Sequence, residues 1–354
     1  MPKTIMEFCE INSFTDQLIA WQRKQGRHHL PWQINRTAYR VWLSEVMLQQ
    51  TQVSTVIERY QVFLKKFPTV KALASASIDD VLSEWSGMGY YTRARNLHRC
   101  AQVVVTEYQG VFPSDPKLLE TLPGIGRSTA AAIAVFAYGQ SAAILDGNVK
   151  RVLARVWGIQ DDLSKNAAVN QLWAHAETLL PHAPEDLVSY TQGLMDFGAT
   201  CCTQNKPACI SQGSITCPFE DVCLAKRFDL IKHIPLKVKK VKVSTVNIDW
   251  WVLQYKDKLL LEKRPHQGIW AGLWSFPESI DLPKSAKQLE RQVIKHVLTH
   301  RVLNIRPIQV TLQRPLTKIP ANCEWIELAD LKNLGLPTPV RLFLKNLDLI
   351  HDDA

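Results

Sequence analysis

A chain of 354 residues, 46% of them hydrophobic, can bury more than one core, and two domains are expected. Its formal net charge of +9 favours polyanionic partners through counterion release. The N-terminus lacks the apolar core and cleavage site of a signal peptide, and no run of about 18 apolar residues offers a membrane span; a cytosolic chain is expected, with thiols available as metal ligands rather than as disulfides.

Up to about residue 225 the pattern is mainly helical. In VWLSEVMLQQTQVSTVIERYQVFLKKF apolar residues recur at helical intervals, and the run ends at Pro68. SIDDVLSEW opens with Ser77 and Asp80 placed as a capping box, then breaks at SGMGYY. TRARNLHRCAQVVVTEY is a further helix closed by Gly110, and SDPKLLETLPGIGRSTAAAIAVFAYG reads as helix, tight turn, helix. Beyond Cys223 the chain is basic and weakly periodic, a linker by composition over residues 226–246. From about 247 the character changes: IDWWVLQYKDKLLLEKRP predicts two short strands around a Lys-Asp turn, followed by an aromatic loop and mixed strand and helix.

Three features carry chemistry. In LPGIG, Gly124 and Gly126 permit a tight loop whose following helix points unpaired N–H groups outward, a fit for one phosphate oxygen; an ordinary helix connection is the alternative. Glu45 lies among apolar neighbours that raise a carboxyl's pKa, and Asp146 precedes Gly147 and Asn148 at a helix start that favours the ionised form. One protonated and one ionised carboxylate suit hydrolysis of a glycosidic bond, although a surface glutamate and a helix-capping aspartate explain the same residues. Cys202, Cys209, Cys217 and Cys223 give the spacing C-x6-C-x7-C-x5-C, four thiolates for zinc or an iron–sulfur cluster.

Together the Gly-containing hairpin, the aspartate in LDGNVKRVLAR and the terminal four-cysteine loop resemble the endonuclease III superfamily of DNA glycosylases. LPWQ, VWLSEVMLQQTQV and GMGYYTRARNLH narrow the resemblance to the adenine DNA glycosylases of the MutY family, over nearly all of residues 10 to 225. Ser128 stands in GIGRST where bifunctional relatives carry a Schiff-base lysine, so no efficient lyase step is expected. The resemblance implies a mainly α helix-hairpin-helix region (residues 1–225, two helical lobes) and an α+β Nudix-like domain (247–354). It implies removal of adenine mispaired with 8-oxoguanine or guanine in double-stranded DNA by a monomeric enzyme working on the nucleoid of a bacterial cytoplasm.

Residue by residue, Glu45 is the implied catalytic acid, Asp146 the stabiliser of positive charge on the deoxyribose, and Asn148 a group able to hold either carboxylate. Leu30, Trp32, Gln33, Leu48, Val53 and Gln192 match the adenine pocket. Gln50 and Tyr90 match the wedge beside 8-oxoguanine. Gly124 and Gly126 match a phosphate grip, and Lys150 a lysine able to react with the abasic product. Thr51, Met88 and Ser128 complete the implied DNA contacts of the helical part. Cys202, Cys209, Cys217 and Cys223 are the implied [4Fe–4S] ligands. The family's central gap is two residues, and here it is ISQGSIT, which contains Gly213; Cys201 is the spare thiol.

The family's Phe-Ser-His loop appears as Leu298, Thr299 and His300, with Thr299 keeping a hydroxyl for the oxidised base. AKQLERQVIKHVLTH lacks the clustered glutamates of a Nudix box, which argues against pyrophosphate hydrolysis. A zinc-bound DNA-binding module without catalysis leaves the paired carboxylates unexplained, and a bifunctional endonuclease III type enzyme predicts lysine at position 128.

Overall fold

The computed structural model describes residues 11–211, 215–236, 243–282 and 286–350. Its helices in chain order are α1 (Ile11–Gln25), α2 (Ala38–Leu48), α3 (Val53–Lys66), α4 (Val70–Ser75), α5 (Ile78–Glu84), α6 (Thr92–Tyr108), α7 (Pro116–Glu120), α8 (Arg127–Tyr138), α9 (Gly147–Val156), α10 (Asn166–Thr178), α11 (Leu187–Asp196), α12 (Leu224–Arg227) and α13 (Thr338–Lys345). The strands are β1 (Ser244–Tyr255), β2 (Lys258–Lys263), β3 (Trp274–Ser275), β4 (Gln288–Glu290), β5 (Ile294–Val297), β6 (Arg301–Thr311) and β7 (Cys323–Glu327). No helix of the described residues is long and apolar enough to cross a membrane.

Two compact units divide the chain, and neither is continuous in sequence. The first runs to Gln50 and resumes at Val103, continuing into the basic stretch after Cys223. Its centre is aromatic and aliphatic: Phe14 of α1 stacks on Phe219 at 4.5 Å and meets Trp157 edge-on at 4.8 Å, while Leu18, Val149, Val152 and Leu194 fill the space around them. Ala130, Ala131, Ala132 and Ala134 of α8 are buried, and these small side chains let α2 pack closely on α8. Residues 226–236 lie in the expected linker, yet Ile231 and Ile234 are buried in this core.

The second unit joins Thr51–Gln102 to the C-terminal part of the chain. The helical run expected to continue to Pro68 is broken in two. Gln50 takes a left-handed φ of 56° between α2 and α3, a conformation that ends an α-helix outright. α5 starts as its sequence predicts, with Ser77 Oγ accepting from Asp80 N at 3.0 Å. Gly87 and Gly89 have φ of 90° and 66°, and Tyr90 follows at 48°, which turns the chain sharply before α6.

The described strands of this unit form one mixed sheet of seven, ordered β3-β2-β1-β6-β4, with β5 on β6 and β7 on β2. β1 and β2 pair antiparallel across the Lys256-Asp257 turn, as the sequence suggests, and β1 runs parallel to β6 from Ser244↔Arg301 to Gln254↔Thr311. Trp250, Leu259, Phe276, Leu303 and Ile305 are fully buried between this sheet and α13. Helical segments of the same unit are pinned to the C-terminal part by Tyr91 Oη donating to Leu336 O (3.0 Å), Arg95 Nη1 to Ala271 O (2.6 Å) and Ser83 Oγ to Lys332 O (3.1 Å), and by an ion pair of Lys263 with Asp79.

Candidate active site

Glu45 lies on α2, flanked in sequence by Ser44 and Val46, which are buried with Trp42, Leu43 and Met47. The apolar surroundings are the main reason its carboxyl is pushed up from 4.5 to about 8, and the negative charge of Asp146 adds to the rise. Glu45 is thus mostly protonated at neutral pH while keeping partial solvent contact. Asp146 caps α9, and its Oδ1 accepts from the backbone N–H groups of Asn148 and Val149, both at 2.8 Å. The chain entering that cap is held by Ser128, whose Oγ accepts from Leu145 N at 3.1 Å. A raised carboxyl and a helix-capping carboxylate therefore lie within electrostatic reach of each other.

α9 carries this geometry into the cysteine stretch. Asn148 Oδ1 accepts from Arg151 Nη2 at 2.9 Å, and the same guanidinium donates to Gly198 O (2.6 Å) and through Nε to Cys202 O (2.9 Å). Gly198 lies in a π-helical turn, Phe197–Cys201, that presses it onto α9. A Cβ at Gly198 would stand 2.7 Å from Asn148 Cβ, closer than two carbons tolerate. Gly198→Ala is therefore expected to displace Asn148, lowering stability by about 1–3 kcal/mol and slowing base excision; thermal melting and single-turnover kinetics on one preparation check both effects.

Arg155, 2% exposed, lies one turn further along α9. It donates to Cys202 Sγ (3.6 Å), Thr203 O (2.7 Å), Gln204 O (3.0 Å) and Ile234 O (3.0 Å). Cys202, Cys209, Cys217 and Cys223 lie within electrostatic reach of one another, and the thiols of 202, 209 and 223 are pushed up chiefly by burial. Cys217 and Cys201 share a hydrogen bond, so the spare thiol sits beside the four-cysteine set. Among the described residues no three His, Cys, Asp or Glu side chains converge as metal ligands. Gly213 of the lengthened gap lies outside the described residues. The donor set still fits a thiolate-bound cluster in kind: four sulfurs packed against one core, with buried guanidiniums on Cys202 to offset negative charge.

Other expected residues of the first unit divide by what they touch. Leu30 and Trp32 are buried, Leu48 is half-buried, and Gln192 is 6% exposed on α11. Gln33 spends its amide on its own loop, accepting from Leu30 N and donating to Arg27 O (2.8 Å). Gly124 has φ 76°, and both it and Gly126, which caps α8, are exposed, as a backbone phosphate grip requires. Lys150 is half-buried on the first turn of α9.

Val53, Thr51, Met88, Tyr90, Thr299 and His300 belong to the second unit. Met88 is 4% exposed and packs within that unit. Thr51 Oγ1 accepts from Arg93 Nη2 at 2.9 Å, and Val53 opens α3, half-buried. Tyr90 is 49% exposed and its hydroxyl lies 3.1 Å from Thr299 Oγ1. Thr299 and His300 form the exposed tip of the β5–β6 hairpin, closed by Leu298 N donating to Arg301 O at 2.8 Å. A cavity of about 490 Å³ opens there, lined by Tyr90, Thr299 and His300 together with Trp270 and His296, which the sequence did not single out. Arg151 and Arg155 were equally unmarked: a buried arginine on a helix has no periodic signature apart from the apolar residues around it.

Residues 43–178 match the HhH-GPD superfamily of base excision DNA repair proteins, and residues 249–346 match the NUDIX domain. The chain is 36% identical over 347 residues to an adenine DNA glycosylase of Buchnera aphidicola subsp. Acyrthosiphon pisum, covering 94% of this chain and 97% of that one. It is 32% identical to the adenine DNA glycosylase of Homo sapiens, covering 95% of this chain and 74% of that one. Among solved structures, a thermostable thymine-DNA glycosylase superposes with a TM-score of 0.54 at 27% identity, covering 62% of this chain and 97% of its own. An endonuclease III from a non-covalent DNA complex shares the fold at 20% identity, with a TM-score of 0.50 over 63% of this chain and 99% of its own. Two carboxylates coupled across α2 and α9, an exposed glycine hairpin and this full-length kinship lead to one conclusion: the chain belongs to the adenine DNA glycosylase family and is a DNA glycosylase of base excision repair.

Proposed function

We propose that this enzyme hydrolyses the N-glycosidic bond of adenine mispaired with 8-oxoguanine or guanine, acting as a monomer without a lyase step. The observation that carries the reading is Glu45, protonated at neutral pH by burial and by the charge of Asp146. Glu45 donates its proton to N7 of the extruded adenine, so that the base leaves neutral, and then helps deliver water. Asp146, fixed by two backbone N–H groups, faces the positive charge that grows on the deoxyribose. Asn148, held by Arg151, keeps the start of α9 in register with both carboxylates. Leu30, Trp32, Gln33, Leu48 and Gln192, all of the first unit, enclose the base, and Gly124 and Gly126 hold a phosphate near it.

Gln50 and Tyr90 wedge into the duplex, and Thr51, Met88, Thr299 and His300 attend the base opposite. Ser128, where a Schiff-base lysine is absent, supports the monofunctional reading, and Lys150, which matches a family lysine able to react with the abasic product, has no required role. Cys202, Cys209, Cys217 and Cys223 would hold a [4Fe–4S] cluster, which supplies a covalent closure of the loop following α11.

Incubation with duplexes containing A:8-oxoguanine, A:G, A:T or thymine glycol:A, followed by alkali, tests the reading. Adenine release from the first two alone is expected. Cleavage at thymine glycol with no adenine release overturns it.

A further inference from the structure

We propose that Arg36 is a specificity-determining positioning residue: it locks the carboxamide of Gln192 in the one orientation that matches adenine and opposes a 6-oxopurine. The inference rests on the reading of Gln192 as a wall of the adenine pocket. Gln192 Oε1 accepts from Arg36 Nη2 at 3.0 Å, and Gln192 Nε2 donates to Asp196 Oδ1 at 3.0 Å. A guanidinium has donors only and a carboxylate acceptors only, so the amide cannot be turned over. The reversed form sets NH₂ against Arg36 and a carbonyl against Asp196, two repulsive pairs in a buried site.

Both partners are themselves fixed. Asp196 is fully buried and accepts from Arg27 N (2.9 Å) and Arg27 Nε (2.8 Å), with Arg27 Nη2 also 2.8 Å away. Arg36 Cζ lies over the ring of Phe136 at 4.5 Å from its centroid, a contact that supports the guanidinium beside Gln192.

An amide bonded in this way retains capacity for one more bond at each atom: an N–H on Nε2 and a lone pair on Oε1. Adenine offers the complement, an N6–H donor beside an acceptor at N1 or N7. Hypoxanthine carries a carbonyl at position 6 and a proton on N1, so its pairing edge presents the opposite order. A Gln free to rotate would accept either base by turning over; a locked one rejects the second. Arg36 touches no reacting atom and acts only through Gln192.

The test compares single-turnover release of adenine and of hypoxanthine, each opposite 8-oxoguanine, by the full-length enzyme and two variants. Arg36→Met keeps the aliphatic stem against Phe136 and removes the donor; Arg36→Lys keeps one donor and the charge. Asp196 still favours the present orientation when Arg36 is gone, so the adenine-to-hypoxanthine rate ratio is expected to fall by roughly fivefold to tenfold in Arg36→Met and to recover most of its value in Arg36→Lys. Adenine and hypoxanthine rates that fall together in Arg36→Met, leaving the ratio unchanged, overturn the inference and reduce Arg36 to packing. A ratio that falls as far in Arg36→Lys as in Arg36→Met overturns it too, because the donor is then not what matters. Wild-type enzyme that releases no adenine overturns both this inference and the proposed function, whereas the first two outcomes leave the function standing.

Discussion

Glu45→Gln is expected to release no measurable base and, at neutral pH, to melt at a higher temperature than the wild type. The carboxamide keeps the shape of the side chain but carries no acidic proton, so the leaving adenine is not protonated. The stability gain follows from linkage. The folded carboxyl titrates near 8, against 4.5 for its ordinary value. Between those values the unfolded chain gives up its proton while the folded chain keeps it, which favours unfolding. The penalty is therefore absent below about pH 4.5, grows as pH rises, and is complete above about pH 8. At pH 7 it amounts to as much as about 3 kcal/mol, and glutamine, which does not titrate, is free of it. Melting curves at pH 5 and pH 8 check the argument: the gap between variant and wild type widens at the higher pH, and an equal gap at both contradicts it. The same titration makes wild-type excision fall as pH rises through about 8, because the acid is then lost.

Arg155→Met is expected to destroy the first unit's cysteine region while leaving no direct mark on the carboxylates. The side chain is almost fully buried and is the donor to three backbone carbonyls, of Thr203, Gln204 and Ile234. Methionine fills most of the volume and satisfies none of them. A buried acceptor stripped of its partner costs about 1–3 kcal/mol; Ile234 O is buried and the other two are part-buried, so the three together remove roughly 2–4 kcal/mol. Yield and melting temperature fall, and the iron content and visible absorbance expected of the proposed [4Fe–4S] cluster fall with them. Arg155→Lys recovers little, since one ammonium cannot span carbonyls that a planar fork reaches on several sides. Iron retained at wild-type level in a folded Arg155→Met protein contradicts this role.

These two residues mark the limits of what the sequence revealed. Glu45 and Asp146 were legible because each sits in a long, distinctive segment, and the structure then couples their charges. Arg151 and Arg155 were not, since nothing in VKRVLAR tells a solvated guanidinium from one whose donors are spent on carbonyls of another segment. Gln33 was legible from its motif, but the motif did not show that its amide also bonds its own loop. The helical character of residues 51–102 was readable from periodicity, but their packing with the strand-rich part was not. That association depends on single long-range bonds such as Tyr91 to Leu336 O, which leave no local pattern. The break at Gln50 was also hidden, because apolar spacing continues through it while one backbone angle does not.

Gln50 and Tyr90 both hold a left-handed backbone with ordinary side chains, each at an expense of order 1 kcal/mol that glycine would avoid. An energetic debt of that kind, settled during folding, means the two proposed wedges are shaped before any duplex arrives. Encounter with DNA then needs little loop entropy to be surrendered, and distortion falls on the more compliant partner. On the proposed function, a base pair already weakened by mismatch would yield to such preformed prongs sooner than a sound one, and part of the search would be a mechanical assay of the helix, made before any base is read.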